Sequence, residues 1–131
     1  MSVLEGGCLC GAVRFKVTGA PSCSVICHCR SCRKASGAPS VGWLTVPRRN
    51  FELLRGAPRS FASSPGVVRA FCPTCGSPIT YATGVSPDTI DITTALLDDE
   101  AAFPPTQEIW LDHRLSWEPL DPTREHCRES V

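Results

Sequence analysis

At 131 residues, with 13 Lys+Arg against 13 Asp+Glu, the chain has the length of one domain and a formal net charge of +0. That balance gives no overall basic excess for nucleic acid or an anionic membrane surface, and no run of about 18 apolar residues marks a membrane span. The N-terminal "MSVLEGGCLC" lacks a basic stretch leading into an apolar one, so the sequence predicts an unexported, cytoplasmic protein with neither nucleic acid nor membrane as partner.

The predicted elements are short and mostly β. Segments 13–17 (VRFKV), 40–46 (SVGWLTV), 51–54 (FELL), 67–72 (VVRAFC), 78–83 (PITYAT) and 89–96 (TIDITTAL) are rich in Val, Ile, Thr and aromatics. Most alternate with a period of two, the mark of half-buried strands. Gly and Pro punctuate them, as at Gly19–Pro21, Gly37–Pro39, Gly56–Pro58 and Gly84–Pro87. A further strand runs through Cys23 toward a dense thiol cluster. Helical periodicity is weak, and it predicts only one or two turns after Cys29 and a short piece over 96–102. Residues 119–131 read as a polar tail that wraps the surface or frays, and the whole of 1–131 reads as one domain.

Nine cysteines in so short a chain are a heavy load. An odd number fits a paired disulfide framework poorly, and in a reducing compartment such thiols serve as metal ligands or redox groups. Cys-x-Cys occurs at Cys8/Cys10 and Cys27/Cys29, and Cys-x-x-Cys at Cys29/Cys32 and Cys72/Cys75. Along an extended backbone, residues two apart share a face, so Cys-x-Cys can aim two sulfurs at one ion. Cys-x-x-Cys achieves the same by turning. In "CPTCGS", Pro73 presets the turn and Gly76 can take a positive φ. Tetrahedral zinc accepts two such pairs.

The seven motif cysteines are one short of two closed four-thiolate sites. A deficit of one is the signature of a catalytic zinc, which keeps three protein ligands and a fourth position for water or substrate. Spacing alone also permits a rival partition, in which Cys29/Cys32 and Cys72/Cys75 form a zinc ribbon across an unusually long insert.

The stretches "GGCLCGAVRF", "CHCRSCRKASGA", "RAFCPTCGSPIT" and "EIWLDHRLSW" resemble, in this order, the family of glutathione-dependent formaldehyde-activating enzymes, which also takes in the centromere-protein-V-like proteins. The resemblance covers nearly the whole chain. It implies a mainly β fold of the compact Mss4-like type, with short helical turns, built around zinc sites. It also implies two zinc ions. A closed structural one falls to Cys8, Cys10, Cys72 and Cys75, and an open one, the catalytic group, to Cys27, Cys29 and Cys32. The implied reaction is carbon–sulfur lyase chemistry, the addition of glutathione to formaldehyde or its reversal, with a small thiol and a small aldehyde as partners. Family likeness transfers fold and metal more safely than reaction, so a non-catalytic zinc module for protein contacts or zinc and redox sensing is the alternative.

Arg30, Arg33 and Lys34 flank the open cluster and can meet glutathione's carboxylates or offset thiolate charge, or stand as solvated surface charges. His28, between two ligands on an extended segment, points away from their face and reads as a supporting or surface residue. Cys23 reads as a small buried hydrophobe and Cys127 as a free thiol. Trp43, Phe71, Trp110 and Trp117 can line a pocket or simply pack. No metal-binding or catalytic motif surrounds His113 or His126.

Overall fold

The structure is a computed structural model that describes residues 2–130. Eleven strands and one short helix follow in order: β1 (Val3–Gly7), β2 (Arg14–Thr18), β3 (Cys23–Cys27), α1 (Arg30–Ser36), β4 (Val41–Pro47), β5 (Phe51–Arg55), β6 (Arg59–Ser64), β7 (Val67–Phe71), β8 (Pro78–Thr83), β9 (Thr89–Thr93), β10 (Gln107–Ile109) and β11 (Glu125–His126). Single 3₁₀ turns span Arg48–Asn50, Thr94–Leu96 and Leu111–His113. The mainly β reading holds.

The strands form two sheets, a three-stranded one ordered β1-β2-β5 and an eight-stranded one ordered β11-β10-β3-β4-β9-β8-β7-β6. Alternation along β4 explains why the large sheet has two buried faces. Leu44 and Val46 point to one side, where they join Phe15, Val17, Ile79 and Ile92 in the core shared with the small sheet. Val41 and Trp43 point to the other, packing with Val25, Cys27, Cys32 and Ile109. A bulge tunes β8 to this division. Ala70 opposes Thr80 while Phe71 opposes Pro78, which leaves Ile79 unopposed; it turns into the first core with no exposed surface.

Strands β1, β6, β10 and β11 lie outside the segments that period and composition mark. β1 reads VLEGG, and Gly6 is needed there because a Cβ would collide with the carbonyl of Leu96 and the ring of Phe15. β6 is a polar, exposed edge. β10 and β11 are too short to show a period.

Residues 96–102 form no helix. The 3₁₀ turn Thr94–Leu96 ends where Leu97, 4% exposed, bridges to Gly6, because burying that leucine against β1 outweighs a weak helical preference. The polar tail wraps rather than frays: β11 adds parallel to β10, and the amides of Trp110 and Asp112 donate to the carbonyls of Glu129 and Arg128. Val131 lies outside the described residues. No described helix is long and apolar enough to cross a membrane.

Candidate metal centres

Two thiol groups assemble, with their sulfurs within 4.8 Å of one another in each: Cys8, Cys10, Cys72 and Cys75, and separately Cys27, Cys29 and Cys32. The ribbon pairing of Cys29/Cys32 with Cys72/Cys75 is therefore not the arrangement adopted.

The four-thiol group sits where two similar loops meet. After β1, the amide of Gly11 donates to the Cys8 carbonyl at 3.1 Å; after β7, the amide of Gly76 donates to the Cys72 carbonyl at 2.8 Å. Both glycines have φ of +81°, the left-handed conformation that lets each loop turn back over its first cysteine. Amides of Val13 and Cys75 donate to the sulfurs of Cys8 and Cys72 at 3.3 and 3.5 Å. The Cys8–Cys10 and Cys10–Cys72 sulfur separations are 3.7 and 3.8 Å. A tetrahedron with metal–sulfur bonds of about 2.3 Å has edges of about 3.8 Å, so the donors fit zinc. The Ser77 hydroxyl, 3.2 Å from the Cys75 sulfur, and backbone amides push that thiol down to about 5, a thiolate ready for a cation.

The three-thiol group is built by the turn from β3 into α1. Cys27 ends the strand, and Cys29 caps the helix, its sulfur accepting from the Cys32 amide at 3.2 Å. Cys32 sits in the first turn. Hydrogen bonds from the Cys27 and Cys32 thiols push Cys29 down to about 2, and the same sharing pushes Cys27 up. Such a set concentrates negative charge for a cation to neutralise.

Cys29 and Cys32 form part of the wall of a cleft of about 510 Å³. Its floor is a cross-strand row on the large sheet: Thr45 of β4 opposes Asp91 of β9, which opposes Tyr81 of β8, which opposes Arg69 of β7. Arg69 carries the row to the sulfurs. Its guanidinium donates to the Cys32 sulfur at 3.7 and 3.8 Å and lies 5.0 Å from the centre of the Tyr81 ring. Trp43 and Trp110 line the same cleft, and Phe71 lines an adjoining one of about 490 Å³ that shares Ser31, Trp43 and Arg69. Trp117 lines neither and is 67% exposed.

Arg69 opens the stretch "RAFCPTCGSPIT" three residues before Cys72, yet nothing in the sequence ties it to Cys32; alternation along "VVRAF" and this position are its sequence signals. The basic residues beside the cluster do other things. Arg33 donates to the His28 carbonyl at 3.4 Å, Arg30 is exposed with its amide donating to His113 Nδ1, and Lys34 lines the adjoining cleft.

His28 lies outside both thiol groups, and it is a core residue rather than a surface one, 1% exposed. Its Nε2 lies 2.6 Å from Glu108 Oε1, while Arg124 donates to Glu108 Oε2 at 2.7 Å. Burial alone would push the Glu108 carboxyl up, but the hydrogen bonds from His28 and Arg124 hold it below the usual range. An ionised carboxylate only accepts, so Nε2 carries the proton. Cys23 and Cys127 are both half-buried and packed against the second core, and Cys23 also lines the cleft. None of the nine cysteines is in a disulfide.

The family model for "Glutathione-dependent formaldehyde-activating enzyme" matches residues 3–113. A relative from Halomonas elongata described as a "Putative glutathione-dependent formaldehyde-activating enzyme" is 28% identical, the alignment covering 96% of this chain and 85% of that one. A crystal structure of a Rhodobacter sphaeroides protein superposes with a TM-score of 0.63 at 24% identity, covering 77% of this chain and 97% of that one; it supports the fold. With all three cysteine motifs inside the matched span, the chain belongs to the glutathione-dependent formaldehyde-activating enzyme family.

Proposed function

We propose that this protein is a cytoplasmic, zinc-dependent carbon–sulfur lyase that adds a glutathione-like thiol to a small aldehyde, formaldehyde in the simplest case, and reverses that addition. The observation that carries the reading is the three-thiol group of Cys27, Cys29 and Cys32 opening onto a cleft of ligand size. The four-thiol group of Cys8, Cys10, Cys72 and Cys75 holds a structural zinc, and 1–131 acts as one domain. A zinc ion on three thiolates supplies a position where a substrate sulfur is held as thiolate near neutral pH.

The protein's own residues complete the task. Arg69 offsets the charge of Cys32, which keeps a crowded set of thiolates deprotonated. Trp43, Tyr81 and Trp110 wall the cleft and limit water around the sulfur. The Glu108–His28 pair fixes the backbone between Cys27 and Cys29.

The test is metal content, glutathione binding and turnover on one sample. Two zinc ions, saturable glutathione binding and an accelerated exchange between glutathione, formaldehyde and their adduct are expected. Cys29→Ser should abolish turnover while one zinc and the fold remain. Two zinc ions with neither thiol binding nor turnover would replace this reading with the non-catalytic zinc module.

A further inference from the structure

Eighteen residues line the cleft beside the open thiol group, and among these described residues one is a cation, Arg69, and one a carboxylate, Asp91. They stand on either side of Tyr81 in the same cross-strand row. Two inter-strand steps of about 4.8 Å separate their backbones by about 10 Å. The guanidinium is already engaged, with Cys32 on one side and the Tyr81 ring on the other.

Asp91 is not so matched. Its Oδ1 accepts from the Thr45 hydroxyl at 2.7 Å, and its Oδ2 has no hydrogen-bond partner among the described residues. Thr89, on the same face of β9, and Thr83 and Ser86 line the cleft with it, offering hydroxyl oxygens and no cation. Burial pushes the Asp91 carboxyl up despite the Thr45 bond, the state of a carboxylate that lacks its counter-charge. Desolvated, one-sided and without a cation, such a group gains most from an ammonium brought by a ligand.

We propose that Asp91 binds the ammonium group of the thiol substrate, so that the cleft selects thiols bearing an amino group over simple thiols. The inference rests on the reading of the open thiol group as the place where the substrate sulfur is held. In glutathione the amino group lies about eight bonds from sulfur, an extended reach of about 10 Å, the same scale as the two strand steps from Arg69, which contacts Cys32, to Asp91. The sulfur is held at one end, the ammonium at the other, and Tyr81 lies beneath the chain between them.

The experiment compares, on the zinc-loaded full chain, calorimetric binding of glutathione and of glutaryl-cysteinylglycine, which is the same molecule without the amino group. Glutathione should bind at least about tenfold more tightly, the value of one charge-assisted contact. Asp91→Asn should remove that preference by weakening glutathione alone, leaving zinc content and affinity for the deaminated thiol unchanged. Equal binding of the two thiols to the unaltered protein, or a preference that survives Asp91→Asn, overturns the proposal. The unaltered-protein comparison decides the matter even where the variant fails to fold. Binding of neither thiol would instead bring down the thiol–aldehyde reading and this inference with it.

Discussion

Replacing Glu108 with Gln tests whether a buried charge, 80 positions along the chain from its partner His28, supports the three-thiol group. Glu108 lies on β10 with its side chain 3% exposed, receiving His28 Nε2 at 2.6 Å and Arg124 at 2.7 Å. Hydrogen bonds to a charged group contribute about 1.5–3 kcal/mol each, and a neutral amide that keeps one ordinary bond recovers about 1 kcal/mol. Arg124 keeps 27% of its side chain in solvent and recovers part of its hydration, whereas His28 at 1% recovers none. The expected loss is therefore about 2–4 kcal/mol, a large share of a domain's typical stability, with a fall in Tm of roughly 8–15 °C. Urea unfolding of the zinc-loaded protein at pH 7 measures it, with an unchanged m-value confirming that the same surface unfolds.

The sign with pH is fixed by the carboxyl lying below its usual range when folded. Its contribution is complete above the unfolded value and is lost as pH falls through the folded one, so the gap to Glu108→Gln should close in acid. Metal loss in acid affects both proteins alike. A loss at pH 7 under about 0.5 kcal/mol, the scale of an ordinary surface change, would refute the view that this carboxylate ties the tail and β10 to the ligand strand.

Cys8→Ser should leave the protein largely unfolded by circular dichroism, because a structural zinc contributes about 10–16 kcal/mol, comparable to a domain's whole stability. Cys29→Ser should fold and hold one zinc by elemental analysis; the opposite pattern would exchange the roles of the two groups. Arg69→Met should lower the affinity of the three-thiol group for zinc by roughly tenfold in competition with a chelator, since it removes the guanidinium beside Cys32. Asp91→Asn should stabilise the protein at neutral pH. Asp91 is pushed up by burial, so its contribution is present below the unfolded value and lost as pH rises through the folded one, and the stability curves of the two proteins should converge in acid.

Local chemistry makes much of this fold legible in the sequence. Short Val-, Ile- and Thr-rich segments bounded by Gly and Pro are strands for stereochemical reasons, and β2, β4, β5, β7, β8 and β9 lie where those segments do. Cys-x-Cys and Cys-x-x-Cys aim their sulfurs by backbone geometry alone, so the candidate ligands were legible residue by residue. Which pairs converge was not, because the loops after β1 and β7 that bring Cys8 and Cys10 to Cys72 and Cys75 come from distant parts of the chain.

What the tertiary structure alone decided is the surroundings of the thiols. Arg69 and Asp91 each look like an ordinary strand residue, and they acquire meaning only through the register that sets Thr45, Asp91, Tyr81 and Arg69 in one row beside Cys29 and Cys32. His28 looked peripheral because period two turns it from the ligand face, yet that same turn aims it at Glu108, 80 positions along the chain. Ligand identity follows from bonds within a few residues of one another, whereas charge compensation and substrate reach depend on which strands become neighbours, and in a sheet only long-range pairing determines that.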